Sequence, residues 1–267
     1  MVIKVDIVNV SKTYGDEEDG DFVHALDDVS MAVQEGEFVS LIGPSGCGKS
    51  TLLHIVAGFE HATRGRVSIN GRPVAGPGAD RGMVFQDYAL FPWMTVIDNV
   101  TFGLKLRGMA ARRCQEIARE YIGLVGLDGF ENRFPHQLSG GMRQRCALAR
   151  SVANNPDVLL MDEPLAAIDA LTRNALQEEI LKVCDARADR PRKSVIYVTH
   201  SIEEAVFLSD RIVVMTPRPG RVLEVIPVPF DHPRNDGTRL TPAFQQLAGK
   251  IWGTLKSYVG PREGALP

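Results

Sequence analysis

The feature that most constrains this chain is a glycine-rich loop between a predicted strand and a predicted helix. The apolar run 38–42 predicts a buried strand, and residues 50–57 predict a helix that ends at Gly58. Nine residues lead from the strand into the helix: Gly43, Pro44, Ser45, Gly46, Cys47, Gly48, Lys49, Ser50 and Thr51. They satisfy the pattern G-x-x-x-x-G-K-[ST], which predicts a phosphate-binding loop in an α/β fold.

The chemistry of phosphate binding explains this composition. Glycines let the backbone curl so that several N–H groups point at one phosphate, and the positive end of the following helix adds to the attraction. Lys49 is predicted to hold the β- and γ-phosphate oxygens of a nucleoside triphosphate, and the Ser50 hydroxyl is predicted to contact Mg²⁺. A glycine-rich loop can match the pattern by chance, but the strand before it and the helix after it argue against chance.

Two carboxylates follow a second predicted buried strand. The apolar run 158–161 ends in Asp162 and Glu163, and ligands bind at the carboxyl ends of strands in open α/β sheets. Asp162 fits a residue that helps to hold Mg²⁺, and Glu163 fits a residue that orients or deprotonates the attacking water. The alternative is that the acidic pair caps the following helix. The phosphate-binding loop in the same chain favours the catalytic interpretation.

A third segment, residues 138–142, has the sequence Leu-Ser-Gly-Gly-Met and leads into a predicted helix over 142–152. Ser139 fits a helix N-cap with the two glycines in the turn. The functional alternative is a second phosphate-binding helix N-terminus. A nucleotide already held by residues 43–51 has no obvious need of such a site in the same chain.

The rest of the chain alternates strand and helix signals. Further strands are predicted over 2–10, 66–71, 194–198 and 211–215. The acidic stretch 15–21 predicts a surface hairpin loop, and the segment 96–153 has helical periodicity. Beyond residue 217 the chain is rich in loops and ends in an amphipathic helix over 242–258. This order predicts one α/β domain over residues 1–267, with a parallel sheet covered on both faces.

The composition argues against several classes of protein. A formal net charge of −3 gives no global basic field, so we expect no nucleic-acid partner. No apolar run reaches the roughly 18 residues of a membrane-spanning helix, and we expect no signal peptide. The cysteines lack CxxC spacing, which argues against a zinc site or a disulfide framework and fits a reducing cytosol. They are Cys47, Cys114, Cys146 and Cys184.

The ordered set of motifs resembles the ATP-binding cassette family over residues 2–215. The motifs are, in order, Tyr14, residues 43–51, Gln86, residues 138–142, Asp162 with Glu163, residues 165–169 and His200. Most of them are weak alone, but the ordered set is highly specific. The resemblance implies an α/β P-loop NTPase (RecA-like) fold with a mostly parallel sheet core. It also implies an N-terminal antiparallel β subdomain, an inserted α-helical subdomain at about 96–153 and a short C-terminal extension at about 217–267.

The resemblance also assigns roles in ATP binding and hydrolysis. Tyr14 would stack on adenine, and Gln86, in the family's Q-loop, would contact both the nucleotide and Mg²⁺. The implied catalytic residues are Lys49, Gln86, Glu163 and His200. The implied metal ligands are Ser50, Gln86 and Asp162. The implied cofactors are therefore ATP and Mg²⁺.

In this family two cassettes close head to tail when ATP binds, which implies a homodimer. The signature of one copy, formed by Ser139, Gly140 and Gly141, then caps the γ-phosphate held by the other copy. Two departures are present: Met142 stands where many cassettes have Gln, and residues 166–169 read Ala-Ala-Ile-Asp rather than Ser-Ala-Leu-Asp. The serine and both glycines of the signature are intact, so capping is expected to survive.

Two of these residues also have plain structural interpretations. Tyr14 fits an aromatic at a strand edge. His200 fits a structural residue between a strand and a helix. Ser201 and Glu204 match the capping-box pattern for that helix. The resemblance favours the functional interpretation for Tyr14 and His200.

The loop 86–94 concentrates large apolar side chains, namely Tyr88, Leu90, Phe91, Trp93 and Met94. Some of them are expected in the core, but such loops also anchor protein interfaces. In the family this loop meets the membrane subunit. We therefore expect Phe91, Trp93 or both to dock a membrane protein.

The subfamily signal lies in residues 138–145, 169–173, 216–221 and the tail around Trp252. These segments resemble bacterial importers of nitrate, taurine and aliphatic sulfonates. Such an importer implies an integral membrane permease and a periplasmic or extracellular substrate-binding protein. The chain itself would lie at the cytoplasmic face of the cell inner membrane.

Other classes of protein fit the sequence less well. A soluble cassette ATPase of DNA repair would have a long coiled coil between residues 50 and 138, and one of translation would carry two cassettes. A non-catalytic regulator would have lost Lys49 or Glu163. A small-molecule P-loop kinase leaves residues 138–142 without a role. An ABC subunit for a different substrate stays open.

Overall fold

The computed structural model describes residues 2–16, 21–185 and 191–258. The strands are β1 (Ile3–Asp16), β2 (Asp21–Gln34), β3 (Phe38–Ile42), β4 (Arg64–Ile69), β5 (Arg72–Pro73), β6 (Arg81–Val84), β7 (Val158–Asp162), β8 (Ser194–Val198), β9 (Arg211–Met215) and β10 (Val222–Pro227). The helices are α1 (Lys49–Ala57), α2 (Val96–Leu106), α3 (Ala111–Leu124), α4 (Gly140–Ala153), α5 (Ala170–Cys184), α6 (Ile202–Leu208), α7 (Asp236–Arg239) and α8 (Pro242–Tyr258).

A six-stranded sheet in the order β10-β9-β3-β8-β7-β6 forms the core. Neighbouring strands are parallel except β10, which pairs antiparallel with β9. β3 and β8 are buried at every position, as expected of central strands covered on both faces. The predicted α/β fold with a mostly parallel sheet is confirmed. The carboxyl ends of β3, β7 and β8 meet at one edge of this sheet, and residues 43–51, Glu163 and His200 follow them.

A second sheet, in the order β2-β1-β4-β5, is antiparallel throughout and confirms the N-terminal part of the predicted fold. β1 continues to Asp16 instead of ending near residue 10, and the sequence analysis missed β2. Asp28 has a φ of 52°, and register shifts interrupt the pairing of the two strands, which explains why the alternation was hard to read. β1 and β2 pair as far as Asp16 and Asp21. The centre of the predicted hairpin loop, residues 17–20, lies outside the described residues.

Helix α1 joins the two sheets. Its apolar side chains belong to one buried cluster with residues of both sheets, including Val10, Val39, Leu41, Leu52, Leu53 and Val56. Helices α2, α3 and α4 pack on one another, and α4 also contacts α5 and β6. None of the helices in the described ranges is both long and apolar enough to cross a membrane.

The C-terminal part has more regular structure than the predicted loops. The structure places β10 in the stretch expected to be rich in loops, where its pairing with β9 extends the core sheet. Periodicity gave no sign of it because the strand is short and only half-buried. Helix α8 has the predicted bounds and buries Phe244 and Ile251.

A partly buried polar cluster around Asp210 ties this C-terminal part to the core. The Asp210 carboxylate accepts a hydrogen bond from the Phe38 N–H (2.8 Å) and pairs with Arg192 (2.7 Å) and His232 (3.0 Å). Burial alone would raise the pKa of Asp210. The hydrogen bonds from His232 and Phe38, together with the Arg192 charge, outweigh burial and lower that pKa to about 2.

Candidate functional site

The loop after β3 curls around the Lys49 side chain. Gly46 and Gly48 have φ angles of 74° and 95°, a region in which a side chain is strained. Lys49 begins α1 and is only 4% exposed. Its ammonium donates to the carbonyl oxygens of Gly43 (2.9 Å) and Pro44 (3.1 Å), which hold the charge at the base of the loop.

Ser50 and Asp162 bring two hard oxygen donors together. The Ser50 hydroxyl donates to Asp162 Oδ1 at 2.9 Å, although the residues lie 112 positions apart. Within the described ranges, no group of three or more His, Cys, Asp or Glu side chains forms a complete metal site. The Ser50 hydroxyl and the Asp162 carboxylate are oxygen donors of the kind that Mg²⁺ prefers, and Mg²⁺ commonly keeps waters and shares phosphate oxygens with a nucleotide.

Glu163 and His200 face each other across the ends of β7 and β8. His200 Nε2 lies 2.6 Å from Glu163 Oε1. Glu163 has a φ of 45°, an uncommon conformation for a residue other than glycine. Its backbone N–H donates to the Val198 oxygen at 3.0 Å, so main-chain bonding holds this conformation. Strained residues cluster at functional sites, which fits a catalytic carboxylate.

Lys49, Ser50, Glu163 and His200 line one cleft, called the P-loop cleft here. Its lining residues are Tyr14, Val23, Ala25, residues 45–51, Glu163, His200 and Arg218. Tyr14 is 37% exposed, and the Lys12 ammonium lies 4.6 Å from its ring centroid. An exposed ring on the cleft wall fits the predicted stacking on a base. The sequence analysis did not identify Arg218, since nothing local connects it to the loop.

The other predicted site residues do not line this cleft. Gln86 is exposed in the turn after β6. Ser139 is exposed at the start of α4, where its hydroxyl accepts a hydrogen bond from the Met142 N–H at 3.3 Å. The N-cap interpretation of Ser139 is therefore confirmed. A side chain on Gly140 would approach the Tyr88 hydroxyl, and one on Gly141 would lie 2.9 Å from the Thr172 methyl group.

The capping box predicted at Ser201 is only half formed. The Ser201 hydroxyl does accept from the Glu204 N–H at 3.2 Å, but the Ser201 N–H donates to Thr199 Oγ1 at 3.0 Å. The Glu204 carboxylate turns inward and accepts from Thr199 Oγ1 (2.7 Å) and Tyr197 OH (3.1 Å). Burial raises the pKa of Glu204, although these hydrogen bonds oppose it. A tertiary contact has thus replaced a local one next to His200.

Arg173 connects this network to residues 165–169. Its guanidinium donates to the Ile168 oxygen at 2.6 Å and lies 3.7 Å from Glu204. Asp169 caps α5 by accepting from the Thr172 N–H at 3.1 Å. Arg173 therefore links residues 165–169 to α6.

Burial divides the aromatic loop 86–94. Phe91 is half-buried, with its ring centroid 4.6 Å from that of Phe102. Trp93 is 70% exposed. Arg150 of α4 holds the loop by donating to the oxygens of Ala89 (2.6 Å) and Tyr88 (3.0 Å). Beside the loop lies an open groove of about 590 Å³, lined mainly by apolar groups.

Comparison with known proteins gives the same family for most of the chain. Residues 26–166 match the family model described as ABC transporter. A taurine import ATP-binding protein of Rhizobium johnstonii is 53% identical, over 92% of this chain and 94% of its own length. An uncharacterized ABC transporter ATP-binding protein of Methanocaldococcus jannaschii is 49% identical, over 97% of this chain and 94% of its own length.

A solved structure extends the likeness to the fold. It is a dimeric post-hydrolysis state of an ATP-binding cassette bound to ADP and Pi. It is 33% identical to this chain, covers 85% of it and 100% of the solved chain, and gives a TM-score of 0.72. The chain is therefore an ATPase and belongs to the ABC transporter family as one of its ATP-binding proteins.

Proposed function

We propose that this ATPase drives a bacterial importer that takes up taurine or a similar small anion, such as nitrate or an alkanesulfonate. The observation that carries the ATP-dependent part is the P-loop cleft, where Lys49, Glu163 and His200 converge from three separate segments. The import part is supported by relatives named taurine import ATP-binding proteins, which are 44–53% identical to this chain.

Each residue of the cleft has a task in this proposal. The N–H groups of residues 45–51 and the Lys49 ammonium bind the β- and γ-phosphates. Ser50 and Asp162 would hold Mg²⁺, which neutralises phosphate charge when bound. Glu163 orients the attacking water and accepts its proton, while His200, in contact with that carboxylate, fixes its position beside the γ-phosphate.

The proposed active unit is a homodimer. Ser139, Gly140 and Gly141 stand at a helix N-terminus but do not line the cleft of their own chain. Such an N-terminus binds anions. A second copy arranged head to tail brings it to the γ-phosphate, and we place Gln86 at the same closed site as a contact of nucleotide and Mg²⁺. The dimeric cassette in the solved structure supports this arrangement.

The proposed membrane partner is an integral permease, with the chain as a peripheral subunit at the cytoplasmic face of the inner membrane. Exposed Trp93 and the apolar groove beside it supply a docking surface. A substrate-binding protein would deliver the anion to the permease from outside. Nucleic acid has no part in the cycle.

Reconstitution in vesicles tests the proposal. The chain, its permease and its binding protein are assembled, and ATP-dependent uptake of labelled taurine, nitrate and an alkanesulfonate is measured. Uptake of at least one anion, lost with Lys49→Ala, is expected. ATP hydrolysis without uptake of any of them would contradict the substrate class. A soluble ATPase that never associates with the permease would contradict the transport role.

A further inference from the structure

The turn that follows β9, residues 216–221, is seated directly on the phosphate-binding loop. Gly220 donates its N–H to the Ala25 oxygen at 2.9 Å, and its own oxygen accepts from the Asp27 N–H at 3.0 Å. A Cβ at Gly220 would lie 1.9 Å from the Cys47 oxygen, so the two backbones touch. The position of this turn relative to the loop is therefore fixed by main-chain contacts.

Hydrogen bonds also hold the turn internally. The Thr216 N–H donates to the Arg221 oxygen at 3.0 Å, and the Thr216 hydroxyl accepts from the Arg221 N–H at 2.9 Å. The same hydroxyl donates to the Pro219 oxygen at 3.1 Å. Pro217 and Pro219 restrict the backbone on both sides of Arg218. The backbone from which the Arg218 side chain extends is therefore held in place.

Arg218 carries a guanidinium that nothing in the described ranges engages. It is exposed, lines the P-loop cleft, and has no hydrogen bond or ion pair with another described residue. The other arginine of the turn, Arg221, is paired with Asp27. Lys49, the other cation on the cleft wall, already donates to two loop carbonyls. Arg218 is thus the cation of this wall with its donors still available.

We propose that Arg218 is a further nucleotide-binding residue, which donates to the phosphate chain of the nucleotide in the P-loop cleft. The inference rests on the proposed role of that cleft. Guanidinium groups form charge-assisted, often bidentate, hydrogen bonds with phosphate oxygens. The turn is already fixed against the phosphate-binding loop, so the Arg218 guanidinium can bind phosphate without the ordering of a flexible segment. The entropic cost of the contact is therefore low.

Calorimetric titration of the full chain with ADP and with GDP tests the proposal. Arg218→Ala is expected to raise the Kd for both nucleotides about tenfold, or roughly 1.4 kcal/mol. Arg218→Lys should raise the Kd about threefold, because lysine keeps the positive charge but lacks the planar guanidinium. High salt should narrow the difference between Arg218→Ala and the unmodified chain. Arg221→Ala is the matched control from the same turn and should stay within about twofold, since exposed ion pairs contribute little.

Three outcomes would overturn the inference: unchanged affinity in Arg218→Ala, an equal loss in Arg221→Ala, or a loss confined to one of the two bases. The last would mean that Arg218 contacts the base instead of the phosphates. Lys49→Ala separates this failure from failure of the cleft assignment. If it abolishes ADP binding while Arg218→Ala has no effect, only the Arg218 proposal is wrong. If Lys49→Ala binds normally, the cleft is wrong and the Arg218 proposal falls with it.

Discussion

The P-loop cleft and the exposed end of α4 differ in how many of their polar groups find partners within one chain. In the cleft, Lys49 is bonded to carbonyls, Ser50 to Asp162, and Glu163 to His200. At the start of α4, Ser139 caps the helix but is otherwise exposed beside two glycines. The N-terminus of α1 lies in the P-loop cleft, whereas that of α4 does not line the P-loop cleft of its own chain. The difference supports the proposal that the active site is divided between two copies of the chain.

Helix α4 links that exposed end to the aromatic loop. The Arg143 guanidinium lies 5.5 Å from the ring centroid of Tyr88, and Arg150 donates to the backbone of the same loop. Trp93 lies on this loop, exposed like Ser139. Helix α4 therefore connects the two surfaces that we assign to partners.

The largest expected effect comes from breaking the cleft at its carboxylate. Glu163→Gln should bind ATP but reduce its turnover about 100-fold or more, because the water loses its base while the phosphate contacts stay. Steady-state ATPase assays and nucleotide titration measure the two quantities. Glu203→Gln, an exposed acid near His200, is the control and should retain normal turnover. Normal turnover in Glu163→Gln would remove Glu163 from the mechanism.

The aromatic loop offers a second contrast, between Phe91 and Trp93. Phe91→Ala should lower the free energy of unfolding by about 3 kcal/mol, because its ring packs against Phe102. Trp93→Ala should leave the melting temperature nearly unchanged but weaken permease binding by about 2 kcal/mol. Thermal unfolding and co-purification with the permease give the two readouts. If Trp93→Ala melts several degrees lower, or still co-purifies at full yield, Trp93 is not the anchor.

The smallest expected effect is on the free energy of unfolding, at Asp210. Like the residues of the P-loop cleft, Asp210 has hydrogen-bond partners within the chain, but it takes no part in the chemistry. The pKa of Asp210 is lowered to about 2 from its ordinary value of 3.8, so the ionised form stabilises the fold above about pH 4. That stabilisation is lost as pH falls from about 4 to 2. Asp210→Asn should therefore cost about 2 kcal/mol at neutral pH. Denaturant unfolding at several pH values should show that the free energies of unfolding of Asp210→Asn and of the unmodified chain converge in acid. ATP turnover at neutral pH should be unchanged.

Local patterns predicted the parts of the molecule that local physics determines. The phosphate-binding loop, the N-cap at Ser139 and the bounds of α8 each depend on neighbouring residues. The paired carboxylates at the end of β7 were placed correctly for the same reason. Once the ordered motifs had identified a family, the two sheets followed from the resemblance.

What the sequence could not predict depends on how the elements pack against one another. β10 forms because β9 offers it an edge, and Glu204 turns away from its capping box because Tyr197 and Thr199 are near. Arg218 joins the cleft only because Gly220 packs on Cys47, more than 170 positions earlier. Neither the periodicity of the sequence nor the spacing of its motifs indicates these contacts.

The most direct test of the division between copies is gel filtration with ATP. Glu163→Gln alone should elute as a dimer, because ATP bound in the cleft is not consumed. Adding Ser139→Arg should leave it monomeric with ATP, since the new side chain blocks capping of the partner's γ-phosphate. Adding Ser257→Arg instead, an exposed position on α8, should leave the dimer intact. An ATP-dependent dimer of normal yield in the Ser139→Arg variant would contradict the shared site.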